Sequence, residues 1–537
     1  MDAQEVRYRL QLARALLGTG ILQPERVDKA VRSIAALRRW GPSSPAAYLG
    51  GAIRFPDRTA IVDDRGAVTF RQVHLRTNAL ANSLREAGVG EDDDVAIMCR
   101  NHRGFVEATV ACAKLGAGAL YLNTAFAAPQ IADVLRREDP VAAIYDEEFA
   151  DLVGDGADGR KRYVVHDEPA AAGSEPTLEQ LIAAGASSEP TPPAEKGRVV
   201  ILTSGTTGTP KGAARKQPDT LEPAAALFTK IPLKARETTM VAAPMFHSWG
   251  YAHFTLALAL SSTLVLRRRF EPEETLRAVS QHRASVLAVV PVMLQRIIDL
   301  GPQTLARYDT SSLKIIAVSG SALPGELATR AMDAFGDVLY NLYGSTEVAW
   351  ATIATPEDLR AAPGTAGRPP LGTVVKLLDG DGREAPPGSG GRIFVANEMM
   401  FEGYTGGGGK EIVGGLMSTG DVGHFDADGR LFVDGRDDEM IVSGGENVFP
   451  REVEDLLADH AAIEEVAVLG VADEEWGQRL KAFVVLRDGA KLNEAQVQEH
   501  VKQNLARYKA PREVVFVERL PRNATGKVLK RELQGVA

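Results

Sequence analysis

Residues 203–212 read Thr-Ser-Gly-Thr-Thr-Gly-Thr-Pro-Lys-Gly, and this combination is suited to holding phosphate. Glycines at 205 and 208 let the backbone turn through positive φ and approach an anion closely. Successive amides can then point inward as a nest. The hydroxyls of Thr203, Ser204, Thr206 and Thr207, with the Lys211 ammonium, add donors and charge. A Walker A loop is excluded. That pattern requires a second glycine after a four-residue gap from Gly205, where Pro210 stands, and Ser or Thr after the lysine, where Gly212 stands.

The elements around the loop must deliver it to a site. Residues 199–202, Val-Val-Ile-Leu, predict a buried strand feeding directly into it. Upstream, between about 50 and 185, strand-like runs such as residues 95–98 and 141–145 alternate with helical patterns, which predicts layered α/β structure with parallel strands. Further strands are expected at 285–290 and 313–319. From 372 to 433 short strands alternate with Gly/Pro turns and predict a β-rich part. Residues 403–409, mostly glycine, read as a mobile loop without chemistry. After Asp437-Asp438 comes a compact α+β pattern, with helices near 451–458 and 497–505 and strands near 466–469, 482–486 and 514–517.

With 537 residues, 45% hydrophobic and 25% charged, the chain is a multi-domain globular protein. A net charge of −10 argues against a general nucleic-acid binder. Cys99 and Cys112, the only cysteines, lack metal-type spacing and read as core residues of a reducing, cytoplasmic setting. No signal peptide is evident. Residues 240–266 carry no Asp, Glu, Lys or Arg, but Pro244 and Ser261-Ser262 break them into a helix and a strand rather than a membrane span. Residues 1–40 hold eight Lys/Arg against four Asp/Glu, with Val6, Leu10, Ala13, Leu16 and Leu17 at helical spacing. That pattern fits a helix packed on the main body, and alternatively a peripheral contact with anionic lipid.

Five later segments join the loop in order: residues 244–247 (Pro-Met-Phe-His), 343–347 (Tyr-Gly-Ser-Thr-Glu), 418–421 (Ser-Thr-Gly-Asp), 435–438 (Gly-Arg-Asp-Asp) and 523–527 (Asn-Ala-Thr-Gly-Lys). Together they make the chain resemble the adenylate-forming superfamily of acyl-CoA synthetases, luciferases and peptide-synthetase adenylation domains, most of all bacterial fatty acyl-CoA synthetases. The resemblance implies an α/β fold with a large N-terminal domain of layered α/β subdomains plus a β-rich subdomain, and a small mobile α+β C-terminal domain. The expected divisions are a helical extension at 1–45, the adenylation domain at 46–437 and the C-terminal domain at 438–537.

The same resemblance distributes the chemistry. Residues 203–208 and Lys211 would cradle ATP phosphates, and Glu347, helped by Thr203, would ligate Mg²⁺ next to Thr346. Tyr343 and the segment Gly320-Ser321-Ala322 would enclose adenine, and Asp421 and Arg436 would take the ribose. Lys527 would bridge carboxylate and α-phosphate oxygens as charge builds. His247, Trp249 and Gly250 would line the acyl pocket, with bulk at Gly250 expected to shorten the preferred acid. After pyrophosphate leaves, rotation about Asp438 would bring Ser443, Gly444, Gly445 and Glu446 in for the CoA thiol.

These features predict an ATP-dependent fatty acyl-CoA ligase. The alternatives are a ligase loading an acyl carrier protein, and a CoA ligase for an aryl or other small acid. A catalytically silent nucleotide-binding protein is disfavoured by the retention of Glu347, Asp421, Arg436 and Lys527 together. The oligomeric state stays open, a homodimer included.

Overall fold

The computed structural model describes residues 3–23, 26–154, 159–165, 175–204, 210–215, 217–443, 446–473, 477–523 and 526–533. Two large sheets and two smaller ones carry the site. The first large sheet has eight strands: Thr352–Ala354, Leu339–Tyr343, Ile315–Val318, Val286–Val289, Thr238–Val241, Thr263–Leu266, Thr59–Asp63 and Gly66–Thr69, in that spatial order. The interior pairings are parallel, and an antiparallel strand closes each end. Val286–Val289 and Ile315–Val318 are buried at every position. Helices cover both faces of a parallel sheet, so its strands are apolar throughout instead of alternating.

The second large sheet has seven strands, ordered Gly403–Tyr404, Pro210–Arg215, Val199–Ser204, Gly118–Tyr121, Asp94–Met98, Ala142–Asp146 and Lys161–Val165. It contains the strand expected before the phosphate loop. The loop folds back antiparallel, with Thr203 opposite Lys211 and Ser204 opposite Pro210. Residues 205–209, the centre of the loop, lie outside the described residues, as do the side chains of Thr203 and Ser204. Phe105, Tyr121 and Phe254 interlock in the core that both sheets share, with ring centroids 5.0 and 6.4 Å apart.

Val374–Leu378, Gly391–Ala396, Leu416–Phe425, Ile412–Val413 and Leu431–Arg436 form an antiparallel sheet in the expected β-rich part. Beyond residue 440 a fourth sheet unites Ile441–Ser443, Glu446–Val448, Gly477–Leu486, Ile463–Asp473 and Glu513–Phe516 around its own core. The fold is therefore a large α/β unit joined to a small α+β one.

Three helices open the chain: α1 (Ala3–Gly18), α2 (Val27–Trp40) and α3 (Ser44–Arg54). The body holds α1 and α2 through their inner faces. Leu12, Ala36 and Trp40 are buried, Leu16 packs on the core, and the Trp40 indole donates to Glu189 at 2.8 Å. Further anchors are the Ala235 amide donating to the Thr19 carbonyl at 2.8 Å and Arg236 donating to the Gly20 carbonyl at 2.5 Å. Residues 240–266 fold as a strand end, the Ser248–Ala259 helix and the Thr263–Leu266 strand, with Ser261 turning at φ 51°. Among the described residues no helix is long and apolar enough to cross a membrane.

Cys99 and Cys112 are buried and unpaired. The fold brings Cys99, His102 and Asp146 together. Both nitrogens of His102 are already engaged, one with Asp146 at 2.7 Å and the other accepting from the Gly104 amide at 3.0 Å. The cluster is accounted for as a core bridge.

Candidate active site

A cavity of about 2360 Å³ runs between the large and small units and gathers the predicted residues. Lys211, His247, Trp249, Gly250, Gly320, Ser321, Ala322, Tyr343, Thr346, Glu347, Asp421, Arg436 and Lys527 all line it.

The turn after the Leu339–Tyr343 strand sets Glu347. A Cβ at Gly344 would strike the Ala349 carbonyl, so only glycine lets the chain fold back this tightly. The Ser345 hydroxyl accepts from the Glu347 and Val348 amides at 3.2 and 3.3 Å. The Glu347 carboxylate is thereby held at the cavity wall, only 8% exposed. It accepts from the Tyr404 hydroxyl at 2.8 Å. Burial, and then the nearby Glu347 charge, push the Tyr404 phenol up in pKa. Lys211 lies over the Tyr404 ring, 5.2 Å from its centroid. The glycine-rich stretch at 403–409 therefore supplies a site tyrosine, contrary to its reading as a loop without chemistry. The short Gly403–Tyr404 strand pairs with residues 213–214 and fixes that tyrosine in place.

Elsewhere in the cavity lining, Tyr343 donates to Asp421 at 2.6 Å, and its hydroxyl lies 3.2 Å from that of Thr419. Arg436 reaches the other Asp421 oxygen at 3.4 Å, across the antiparallel pair that sets residues 421 and 436 opposite each other. Burial raises the Asp421 pKa above the usual range, opposed by the Tyr343 hydrogen bond and by Arg436, Lys527 and Lys410. Gly420, at φ +81°, turns the strand so that these groups converge.

Lys527 arrives from the small unit. The Lys527 amide donates to Asn523 Oδ1 at 2.9 Å, and the Asn523 amide donates to the Lys527 carbonyl at 2.9 Å. Gly526, at φ +79°, sits against Val292 of the large unit so closely that a Cβ would collide with its Cγ1. The lysine thus faces the cavity with the small unit docked.

The Ser248–Ala259 helix forms the apolar wall. His247 stands at its N-cap, half-buried, with a buried Nε2 that is unpartnered among the described residues. Burial lowers its pKa to about 4, so the ring is neutral at physiological pH. Trp249 donates to the Val289 carbonyl at 3.0 Å and packs edge-on against His253 at 4.4 Å, which makes it a fixed wall. Gly250 lines the cavity, but a Cβ there would strike the Pro244 carbonyl. Bulk at 250 would displace the helix itself, and so cannot shorten the pocket as expected from sequence.

Four residues were missed by sequence reasoning. Arg215 donates to the Thr346 carbonyl at 2.5 Å, and burial lowers its pKa to about 10. Ser248 donates to Thr346 Oγ1 at 3.2 Å. Lys410 and Tyr404 complete the set. Arg215 and Lys410 each follow a glycine-bearing segment, which is a faint signal; Tyr404 and Ser248 carried none. Asp438, Ser443 and Glu446 fall where only the backbone is described, and Gly444 and Gly445 lie outside the described residues.

Comparison with known proteins agrees with this geometry. Residues 51–405 match the family described as AMP-binding enzyme, and residues 452–527 match AMP-binding enzyme C-terminal domain. A feruloyl-CoA synthase from Amycolatopsis sp is 34% identical over 89% of this chain and 96% of its own. An indoleacetate–CoA ligase from Aromatoleum aromaticum is 33% identical over 90% and 94%. The structure of o-succinylbenzoate CoA synthetase from Bacillus subtilis, in complex with its acyl-adenylate intermediate, superposes with a TM-score of 0.80 at 25% identity, covering 91% of this chain and 98% of that one. The chain belongs to the AMP-binding enzyme family.

Proposed function

We propose, from that membership, that the chain is an ATP-dependent, AMP-forming acid–CoA ligase whose acid is aryl or another small hydrophobic carboxylate. The observation that carries the reading is the convergence of Lys527, Asp421, Arg436, Tyr343 and Glu347 on one cavity that extends along the apolar Ser248–Ala259 helix. The relatives named for feruloyl, indoleacetate and succinylbenzoate substrates support the aryl class.

In the first half-reaction a carboxylate oxygen attacks the α-phosphorus, the bond to pyrophosphate breaks, and acyl-AMP forms. Residues 203–208 and Lys211 hold the β- and γ-phosphates. Tyr343 and residues 320–322 hold adenine. Asp421 accepts from ribose hydroxyls while Arg436 fixes its orientation. Lys527 neutralises charge between carboxylate and α-phosphate, and such electrostatic terms dominate many enzymatic rate enhancements. Thr346, between Ser248 and Arg215, borders the reacting carboxylate with neutral His247.

One buried carboxylate, Glu347, held by a tyrosine hydroxyl and close to Arg215, fits a Mg²⁺ that takes its remaining ligands from phosphates and water. Glu347, with Thr203, would hold the ion, which supplies charge neutralisation for the departing pyrophosphate. In the second half-reaction the CoA sulfur attacks the acyl carbon and AMP leaves. Rotation about Asp438 withdraws Lys527 and brings residues 443–446 to the site.

A cavity of about 2360 Å³ keeps a longer aliphatic acid as the second reading. A panel of cinnamate-like, indole and C4–C16 acids, with thioester detected by mass spectrometry, separates the two. Highest kcat/KM on aryl acids is expected. A steady climb with aliphatic chain length, as each buried methylene adds about 0.8 kcal/mol, would overturn the aryl assignment. Lys527→Ala tests the mechanism: pyrophosphate exchange falls by orders of magnitude, while thioester formation from supplied acyl-AMP is spared. Equal loss in both would refute it.

A further inference from the structure

The inner faces of α1 and α2 are explained by packing, but their outer faces are not. Of fourteen large apolar side chains exposed among the described residues, eight fall within residues 3–40. They are ordered, too. Val6, Leu10, Ala13 and Leu17 follow one another at four, three and four residues along α1, and Val27, Val31 and Ile34 at four and three along α2. Each set is a single outward stripe, the spacing of an amphipathic helix whose apolar face is left uncovered among the described residues.

Cations accompany the stripes. Arg7, Arg14, Arg32 and Arg38 are exposed beside them, within a segment of eight Lys/Arg against four Asp/Glu. The whole chain carries −10, so the rest of the molecule is more acidic still. An anionic surface would attract residues 3–40 and repel the remainder, which orients the protein. A second copy is disfavoured on the same ground, because a two-fold contact would set these arginines against themselves.

The stripes also lead to the active-site cavity. Leu17, Leu22, Ile34 and Leu37 line it and are 57, 71, 54 and 45% exposed, so they form its rim. Trp249, Thr255 and Leu256 line the same cavity.

We propose that α1 and α2 form a docking collar for an anionic lipid bilayer, turning the rim at Leu17, Leu22, Ile34 and Leu37 toward the lipid. Apolar side chains enter the headgroup boundary and the arginines meet lipid phosphates. The docking stands whichever acid the enzyme activates.

Full-length protein is sedimented with vesicles of pure phosphatidylcholine or of phosphatidylcholine with 30% phosphatidylglycerol, in 0.1 and 0.5 M NaCl. Binding to the anionic vesicles at low salt is expected, at least tenfold weaker on neutral vesicles or at high salt, where screening shortens the reach of charge. Arg7→Gln/Arg14→Gln should weaken partition about thirtyfold, at ~1 kcal/mol per basic residue near such a surface. Leu10→Gln/Val31→Gln should weaken it at least tenfold with unchanged melting temperature, since both side chains are exposed. With brominated phosphatidylglycerol, added fluorescence of Leu22→Trp should be quenched, while that of Ile412→Trp, an exposed site in the antiparallel sheet of the β-rich part, should not. No sedimentation with either vesicle, equal binding to both, or equal quenching at 22 and 412 would overturn the proposal. So would a concentration-dependent dimer that Leu10→Gln abolishes.

Discussion

Gly526 offers a sharp test of how Lys527 is presented. Its φ of +79° lies in the left-handed region, where an L side chain costs roughly 1–2 kcal/mol. A Cβ would also collide with Val292 Cγ1, so Gly526→Ala forces the loop off the large unit. A lysine shifted by about 1 Å loses alignment worth on the order of 10² in rate. We therefore expect Gly526→Ala to lower adenylation, read as pyrophosphate exchange, about 100-fold. Thioester formation from supplied acyl-AMP should change less than twofold, because in the proposed mechanism that step follows rotation of the small unit. Val292→Ala removes the colliding methyl, so Gly526→Ala/Val292→Ala should recover about tenfold, the residual loss coming from the backbone cost and from Val292 Cβ, which stays 3.0 Å from the new Cβ. The double-mutant cycle isolates the contact, since the two residues touch. Unimpaired exchange in Gly526→Ala, or no recovery in the double variant, would refute the docked-lysine reasoning.

Three further outcomes are expected. Asp438→Pro fixes φ at the proposed pivot and should preserve acyl-AMP formation while abolishing thioester formation; an unchanged overall rate places the pivot elsewhere. Tyr404→Phe removes the hydrogen bond to Glu347 and should raise the KM for Mg-ATP about tenfold, a charged hydrogen bond contributing ~1.5–3 kcal/mol; an unaltered KM separates Tyr404 from the phosphate site. Burial lowers the His253 pKa to about 4 from 6.5, so between these values the unfolded chain binds more protons. Stability should therefore fall as pH drops from 6.5 toward 4, and His253→Leu should flatten that slope in melting temperature; an identical pH profile in the variant rules out His253 as a source.

The strand leading into the proposed phosphate loop, the parallel strands and the order of the six motifs were legible in the sequence because each is local. Glycine spacing, continuous apolar runs and turn residues act within a few positions of themselves. Strands expected at 95–98, 285–290 and 313–319 form at Asp94–Met98, Val286–Val289 and Ile315–Val318 for this reason. Contacts spanning long stretches of chain were not legible. Tyr404 reaches Glu347 only because Gly403–Tyr404 pairs with the strand after the phosphate loop, and nothing near Tyr404 announces a partner 57 residues away. Gly250 looked like space for a side chain until the helix was seen resting on the Pro244 carbonyl. Helical spacing at the N-terminus predicted an amphipathic α1, yet both the body and the solvent face received apolar residues. Only the packed structure separates Leu12 and Leu16, which are held by the core, from Leu10 and Leu17, which are left outside. Sequence sets what each segment can become, because propensity and periodicity are short-range. The assembled fold decides which of its faces are used, because burial depends on what the rest of the chain brings against them.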